Sequence, residues 1–134
     1  MIVIAIIGIL ASIVLVSLNS ARTKAKDAAA TASVGSLAKA VQMCLLSNTN
    51  LGIGSGATPT AGQPICGGSE TYPALSSPWS ITNVYWEVST GYYWIRAVDG
   101  GSKIFLCYYA AVGSGWTTDG IPADGTYKCT KIGF

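Results

Sequence analysis

The chain has 134 residues, half of them apolar, with eight Lys or Arg against six Asp or Glu and a formal net charge of +2. That length suits one ordinary domain with an apolar appendage. Histidine is absent, which removes the commonest general base and metal ligand and excludes histidine-dependent hydrolysis or haem ligation by histidine. No basic stripe runs among the aromatic residues, so no specific nucleic-acid partner is expected. All charges lie at or after Arg22 and all aromatic residues at or after Tyr72, so the chain divides into unlike segments.

Residues 1–18, MIVIAIIGILASIVLVSL, are apolar except for Gly8, Ser12 and Ser17. Such a run is at the threshold for a bilayer span of roughly 20 residues. No basic region opens it, which argues against a cleaved secretory signal. A core helix is the other reading, but the rest of so short a chain cannot cover a run that is apolar on every face. Beyond it, NSARTKAKDAAATASVGSLAKAVQMCLLSN is alanine-rich and free of proline, and continues the helix. Val34, Leu37, Ala38, Val41, Cys44 and Leu45 follow the i, i+3, i+4, i+7 rule, while Arg22, Lys24, Lys26, Asp27, Lys39 and Gln42 fall mostly off that row. One long helix over 1–47 is therefore expected, about 70 Å from end to end. Its first part, 1–21, is apolar, and its second part is amphipathic.

The stretch MIVIAIIGILASIVL resembles the N-terminal helix of type IV pilins and the related pseudopilins. The match is strong over about residues 1–25 and architectural beyond. In that family the helix anchors the subunit in the cytoplasmic membrane before assembly. It then packs with its neighbours as the filament core, while a head with a four-stranded antiparallel sheet forms the outer surface. The family's leader, its mature N-terminal phenylalanine and the nearby glutamate would precede Met1, so Met1 is expected to lie roughly six residues into a mature pilin. Gly8 falls where the family usually has glycine, whereas Val16 stands where many pilins have a helix-breaking proline. With Arg22, Lys24 and Lys26 past the span and nothing basic before it, the positive-inside rule would put the head in the cytoplasm. A leader carrying Lys or Arg would reverse that balance.

Residues 48–83 are rich in Gly, Pro, Ser and Thr and read as a long surface loop joining helix to sheet. From Val84 the pattern alternates in four runs: VYWEVS, YYWIRAV, KIFLCYYAAV and TYKCTKI. Thr90-Gly91 and Asp99-Gly100-Gly101 supply hairpin turns, and Gly113 to Gly125 is a longer connection. An antiparallel meander over 84–134, packed on the amphipathic half of the helix, gives an α+β class.

Cysteines stand at 44, 66, 107 and 129, without C-x-x-C spacing, so two disulfides in an oxidising compartment are expected rather than zinc. Three pairings are open. We favour Cys44 with Cys66, which ties the loop back to the helix end, and Cys107 with Cys129, which ties the last strand to the third. The second also resembles the disulfide-bounded C-terminal region of many pilins.

Tyr85, Trp86, Tyr92, Tyr93, Trp94, Tyr108 and Tyr109 on adjacent strands read first as sheet packing, with surface adhesion a lesser use for outward rings. Asp99, Asp119 and Asp124 are calcium candidates, since pseudopilins often bind calcium in such a loop, although Asp-Gly is ordinary turn chemistry. No phosphate loop, paired catalytic carboxylates or activated nucleophile can be assembled, so neither enzyme activity nor a cofactor is expected. The motif N-x-[ST] is absent, and the Ser and Thr of the loop remain open to O-linked sugar.

The resemblance implies a filament subunit serving adhesion, motility or DNA uptake. Its partners would be copies of itself, the cytoplasmic membrane before assembly, and the pilus assembly machinery. The assembly residues would be Met1, Ile2, Val3, Ile4, Ile6, Ile7, Gly8, Leu10, Ala11, Val14, Leu15 and Leu18, with Gly8 and Ala11 allowing close helix approach. A type II secretion pseudopilin and a monomeric membrane-anchored binding module are the alternatives.

Overall fold

The computed structural model describes residues 2–109 and 125–134. One helix, α1 (Ile2–Leu46), is followed by β1 (Ser80–Glu87), β2 (Tyr92–Val98), β3 (Ile104–Tyr109) and β4 (Tyr127–Ile132), which form a single antiparallel sheet in the order β1-β2-β3-β4. The class is α+β.

The helix is uninterrupted over 45 residues, about 67 Å at 1.5 Å per residue. It stops because Asn48 adopts the left-handed region at φ 51°, where a short polar side chain is tolerated. The amide of Thr49 then donates to the Cys44 carbonyl at 3.0 Å and that of Asn48 to the Leu45 carbonyl at 3.0 Å. This is a Schellman cap, which satisfies carbonyls that would otherwise be orphaned.

The amphipathic half lies against β2 and β3. Its row Ala30, Val34, Leu37, Ala38, Val41, Cys44 and Leu45 is buried. The strands answer with alternate side chains: Ile81 and Val84 from β1, Tyr93, Ile95 and Ala97 from β2, and Phe105 and Cys107 from β3. Period-two alternation puts Tyr92, Leu106 and Tyr108 on the other face, where they form a second small cluster with Trp94. The register pairs Ile95 with Cys107 and Cys107 with Cys129. Every residue of β4 is exposed, because the helix covers only the middle of the sheet.

Three expectations are corrected. The sheet begins at Ser80 rather than Val84, so four residues assigned to the loop belong to β1, and Val88 and Ser89 leave the strand. Ser80, Thr82 and Asn83 hide this start, because they break the apolar alternation around Ile81. A register shift between Ile81 and Asn83 breaks it further.

The connection before β1 has no regular element, but it is not merely a surface loop. Leu51, Ile53, Ile65, Tyr72 and Trp79 are buried in the main core. The connection is pinned by Gly52 N–H to the Ile65 carbonyl (2.8 Å), Tyr72 N–H to the Gln63 carbonyl (2.8 Å), Val84 N–H to the Ala57 carbonyl (3.0 Å) and Gly56 N–H to the Val84 carbonyl (2.9 Å). A Cβ on Gly52 would stand 2.6 Å from the Pro64 carbonyl oxygen, so this close crossing requires glycine.

Third, the helix ends at Leu46, one residue short of the expected boundary. The Gly91 and Gly100 turns adopt positive φ, as the hairpin reading requires. The expected continuation of the third strand through Val112, and most of the connection from Gly113 to Gly125, lie outside the described residues.

Candidate functional site

The part of α1 that precedes the head carries the most distinctive surface. Val3, Ile4, Ile6, Ile7, Ile9, Leu10, Ile13, Val14, Leu15, Val16 and Leu18 are each between 52% and 76% exposed. Apolar side chains stand on every side of this arm. Soluble proteins rarely leave so large an apolar surface in water unless something covers it. One of its hydroxyls is tied up locally: Ser12 Oγ donates to the Gly8 carbonyl at 2.8 Å. Internal satisfaction of that kind is what a helix needs in a medium without water.

By length and composition the helix can cross a membrane. Of the expected assembly residues, Ile2, Val3, Ile4, Ile6, Ile7, Gly8, Leu10, Ala11, Val14, Leu15 and Leu18 all lie on this arm, and Met1 lies outside the described residues. A Cβ on Gly8 would meet nothing within 4 Å, so its small size is not demanded by this chain's own packing.

Between arm and head stands Asp27. The Trp79 indole N–H donates to its Oδ1 at 2.9 Å, and the Lys103 ammonium donates to its Oδ2 at 2.5 Å. These contacts join α1 to the start of β1 and to the β2–β3 turn. The Lys103 hydrogen bond, seconded by that of Trp79, holds the Asp27 carboxyl below the usual carboxylate range. Phe134 stacks on Trp79 with ring centroids 5.7 Å apart. The ammonium groups of Lys131 and Lys103 lie 5.1 and 5.6 Å from the Phe134 centroid, within cation–π range. In the sequence Asp27 is one of several polar residues off the apolar row. Its partners lie 52 and 76 residues away, and no local pattern announces them.

The structure joins Cys44 to Cys66 and Cys107 to Cys129, the favoured pairing. The first fastens the 48–83 segment to the last turn of α1. The second crosses directly between paired residues of β3 and β4, with Cα atoms 4.1 Å apart. Beside it, the Tyr127 hydroxyl is 2.8 Å from Cys129 Sγ.

The aromatic residues mostly pack. Tyr85 stacks on Trp94 (4.6 Å) on one face of the sheet, and Tyr93 lies beside Tyr109 (6.4 Å) on the other. The hydroxyls of Tyr72 and Tyr93 are buried without a hydrogen-bond partner among the described residues. Burial pushes the Tyr72 phenol up to about 12, and pushes Tyr93 up as well.

Among the calcium candidates, Asp99 already accepts the amides of Gly101 (2.8 Å) and Lys103 (3.2 Å) as a turn cap, which shows its carboxylate at ordinary turn work. Asp119 and Asp124 lie outside the described residues. No group of three or more potential metal ligands converges among the described residues. At the end of the head away from the arm, a shallow depression is lined by residues such as Gln42, Leu45, Val88, Thr90 and Tyr109, and no acid or base converges there.

No family profile, curated protein or solved structure matches the chain.

Proposed function

We propose that this protein is the structural subunit of an extracellular filament of the type IV pilus kind, polymerising through α1 and serving adhesion, motility or DNA uptake. The observation that carries the proposal is the arm: an apolar helix continuous with the head's core helix, whose eleven described large apolar side chains from Val3 to Leu18 are all exposed. Before assembly the same surface would rest in the cytoplasmic membrane, from which the assembly machinery would draw the subunit. In the filament, helices of neighbouring copies would take the place of lipid, and Gly8 and Ala11 would let backbones approach. Two disulfides suit a head that works in an oxidising compartment.

A second reading is a monomeric membrane-anchored module, favoured by the abrupt change from the apolar run to Arg22, Lys24 and Lys26. Electron microscopy of material sheared from native cells, with non-reducing mass spectrometry of its subunit, separates the two. Thin filaments containing this chain with both disulfides are expected. Recovery of the chain as a membrane-bound monomer, with no filaments, would overturn the polymer reading.

A further inference from the structure

The end of the head that faces the arm gathers charge. The Asp27 contacts fix Lys103 and Trp79 at the level of helix residue 27, where Phe134 stacks onto Trp79 and the Lys131 ammonium lies over the Phe134 ring. Just below them on the helix are Arg22, Lys24 and Lys26, all exposed. Five of the chain's eight cations therefore face the arm side. The described side-chain carboxylates there are Asp27 and Asp99, and both are engaged: Asp27 with Lys103 and Trp79, Asp99 with the amides of its own turn. Ile132 and Phe134, each about half exposed, add apolar surface to the same end.

The vertical spacing fits a bilayer. The apolar run ends by residue 21, and six residues of helix carry the chain about 9 Å further to Asp27. A headgroup layer is roughly 5–7 Å thick on each side of the hydrocarbon core. Arg22, Lys24 and Lys26 then lie within the headgroups, and the Lys131–Phe134 patch lies at their outer surface, within reach of the flexible Lys131 side chain. Aromatic rings flanked by basic residues are what membrane–water interfaces favour.

We propose that this end of the head is a docking surface for anionic phospholipid headgroups, which holds the head down on the membrane while α1 is inserted. The proposal rests on the membrane-anchored state of the proposed function. Lys24, Lys26 and Arg22 engage the lipid phosphates from the helix, and Lys131 engages them from the sheet, while Lys103 stays paired with Asp27. Each cation at an anionic surface strengthens attachment about fivefold. The effect decays over roughly 8 Å at physiological salt, so Lys39, about 18 Å further along the helix than Asp27, lies beyond it.

The test uses the full chain in lipid nanodiscs of phosphatidylcholine alone, and of phosphatidylcholine mixed equally with phosphatidylglycerol. An amine-reactive label is read lysine by lysine by mass spectrometry. Lys24, Lys26 and Lys131 are expected to react at least about threefold more slowly in the anionic discs, with Lys39, Lys128 and the Asp27-paired Lys103 unchanged, and strong salt should erase the difference. Equal rates in the two lipids, or a uniform slowing of all six lysines, would overturn the docking surface while leaving the anchor intact. A chain that fails to enter either disc overturns the anchor reading, and the docking surface with it.

Discussion

Asp27 is the residue on which the joint between arm and head turns. It is partly buried, accepts from two groups distant in sequence, and its carboxyl is held below its ordinary value chiefly by the Lys103 hydrogen bond. A lowered folded pKa means that the unfolded chain takes up the proton first as acid is added. The stabilisation is therefore complete above the unfolded value near 3.8, and is lost as pH falls through the lower folded value. D27N removes the charge and keeps the shape. Thermal unfolding in detergent followed by circular dichroism should give D27N a lower Tm than the parent at about pH 7, with the gap closing toward about pH 2. Parallel Tm-against-pH curves for the two proteins would show that the ion pair contributes nothing to stability.

At the scale of elements, β4 stands apart. The other strands each bury side chains against α1 or the loop, whereas β4 buries none and is attached through its ladder to β3 and the Cys107–Cys129 disulfide. Closing a loop across 22 residues is worth about 3 kcal/mol in the chain-entropy account, more than an exposed edge strand gains by itself. The paired variant C107A/C129A should accordingly lose amide-exchange protection over Tyr127–Ile132 first, with β1 to β3 still protected. Equal loss across all four strands would mean that the sheet opens as one unit.

The same elements show what could be read in advance. The helix face from Val34 to Leu45 carries a clean 3.6-residue period, and Tyr93, Ile95 and Ala97 of β2 recur every second residue, so the faces they bury follow from spacing. The start of β1 and the anchors Leu51, Ile53, Ile65 and Tyr72 do not. Each is a lone apolar residue among Gly, Pro and Ser, buried because the chain folds back on itself through turns that leave no period. The arm was legible because it is uniformly apolar, whereas the Asp27 joint was not, because ion pairs across 76 residues are set by topology.

For the whole molecule, the arm and the head obey different solvents. Eleven large apolar side chains on the arm are more than half exposed, and covering them is worth roughly 10–20 kcal/mol at typical transfer values. That matches or exceeds the whole folding stability of an ordinary domain, about 5–15 kcal/mol. Association of the arm with lipid or with other arms is therefore as strongly driven as folding of the head. The head, by contrast, does not need the arm: its buried residues begin at Ala30, and the Asp27 joint lies above residue 21. A chain lacking residues 1–21 should therefore fold with both disulfides and remain a monomer in water, by analytical ultracentrifugation and non-reducing mass spectrometry. The full chain should require detergent or lipid. If the shortened protein still associates, or partitions into vesicles of phosphatidylcholine alone, the driving surface lies on the head, and the arm is not what assembles this molecule.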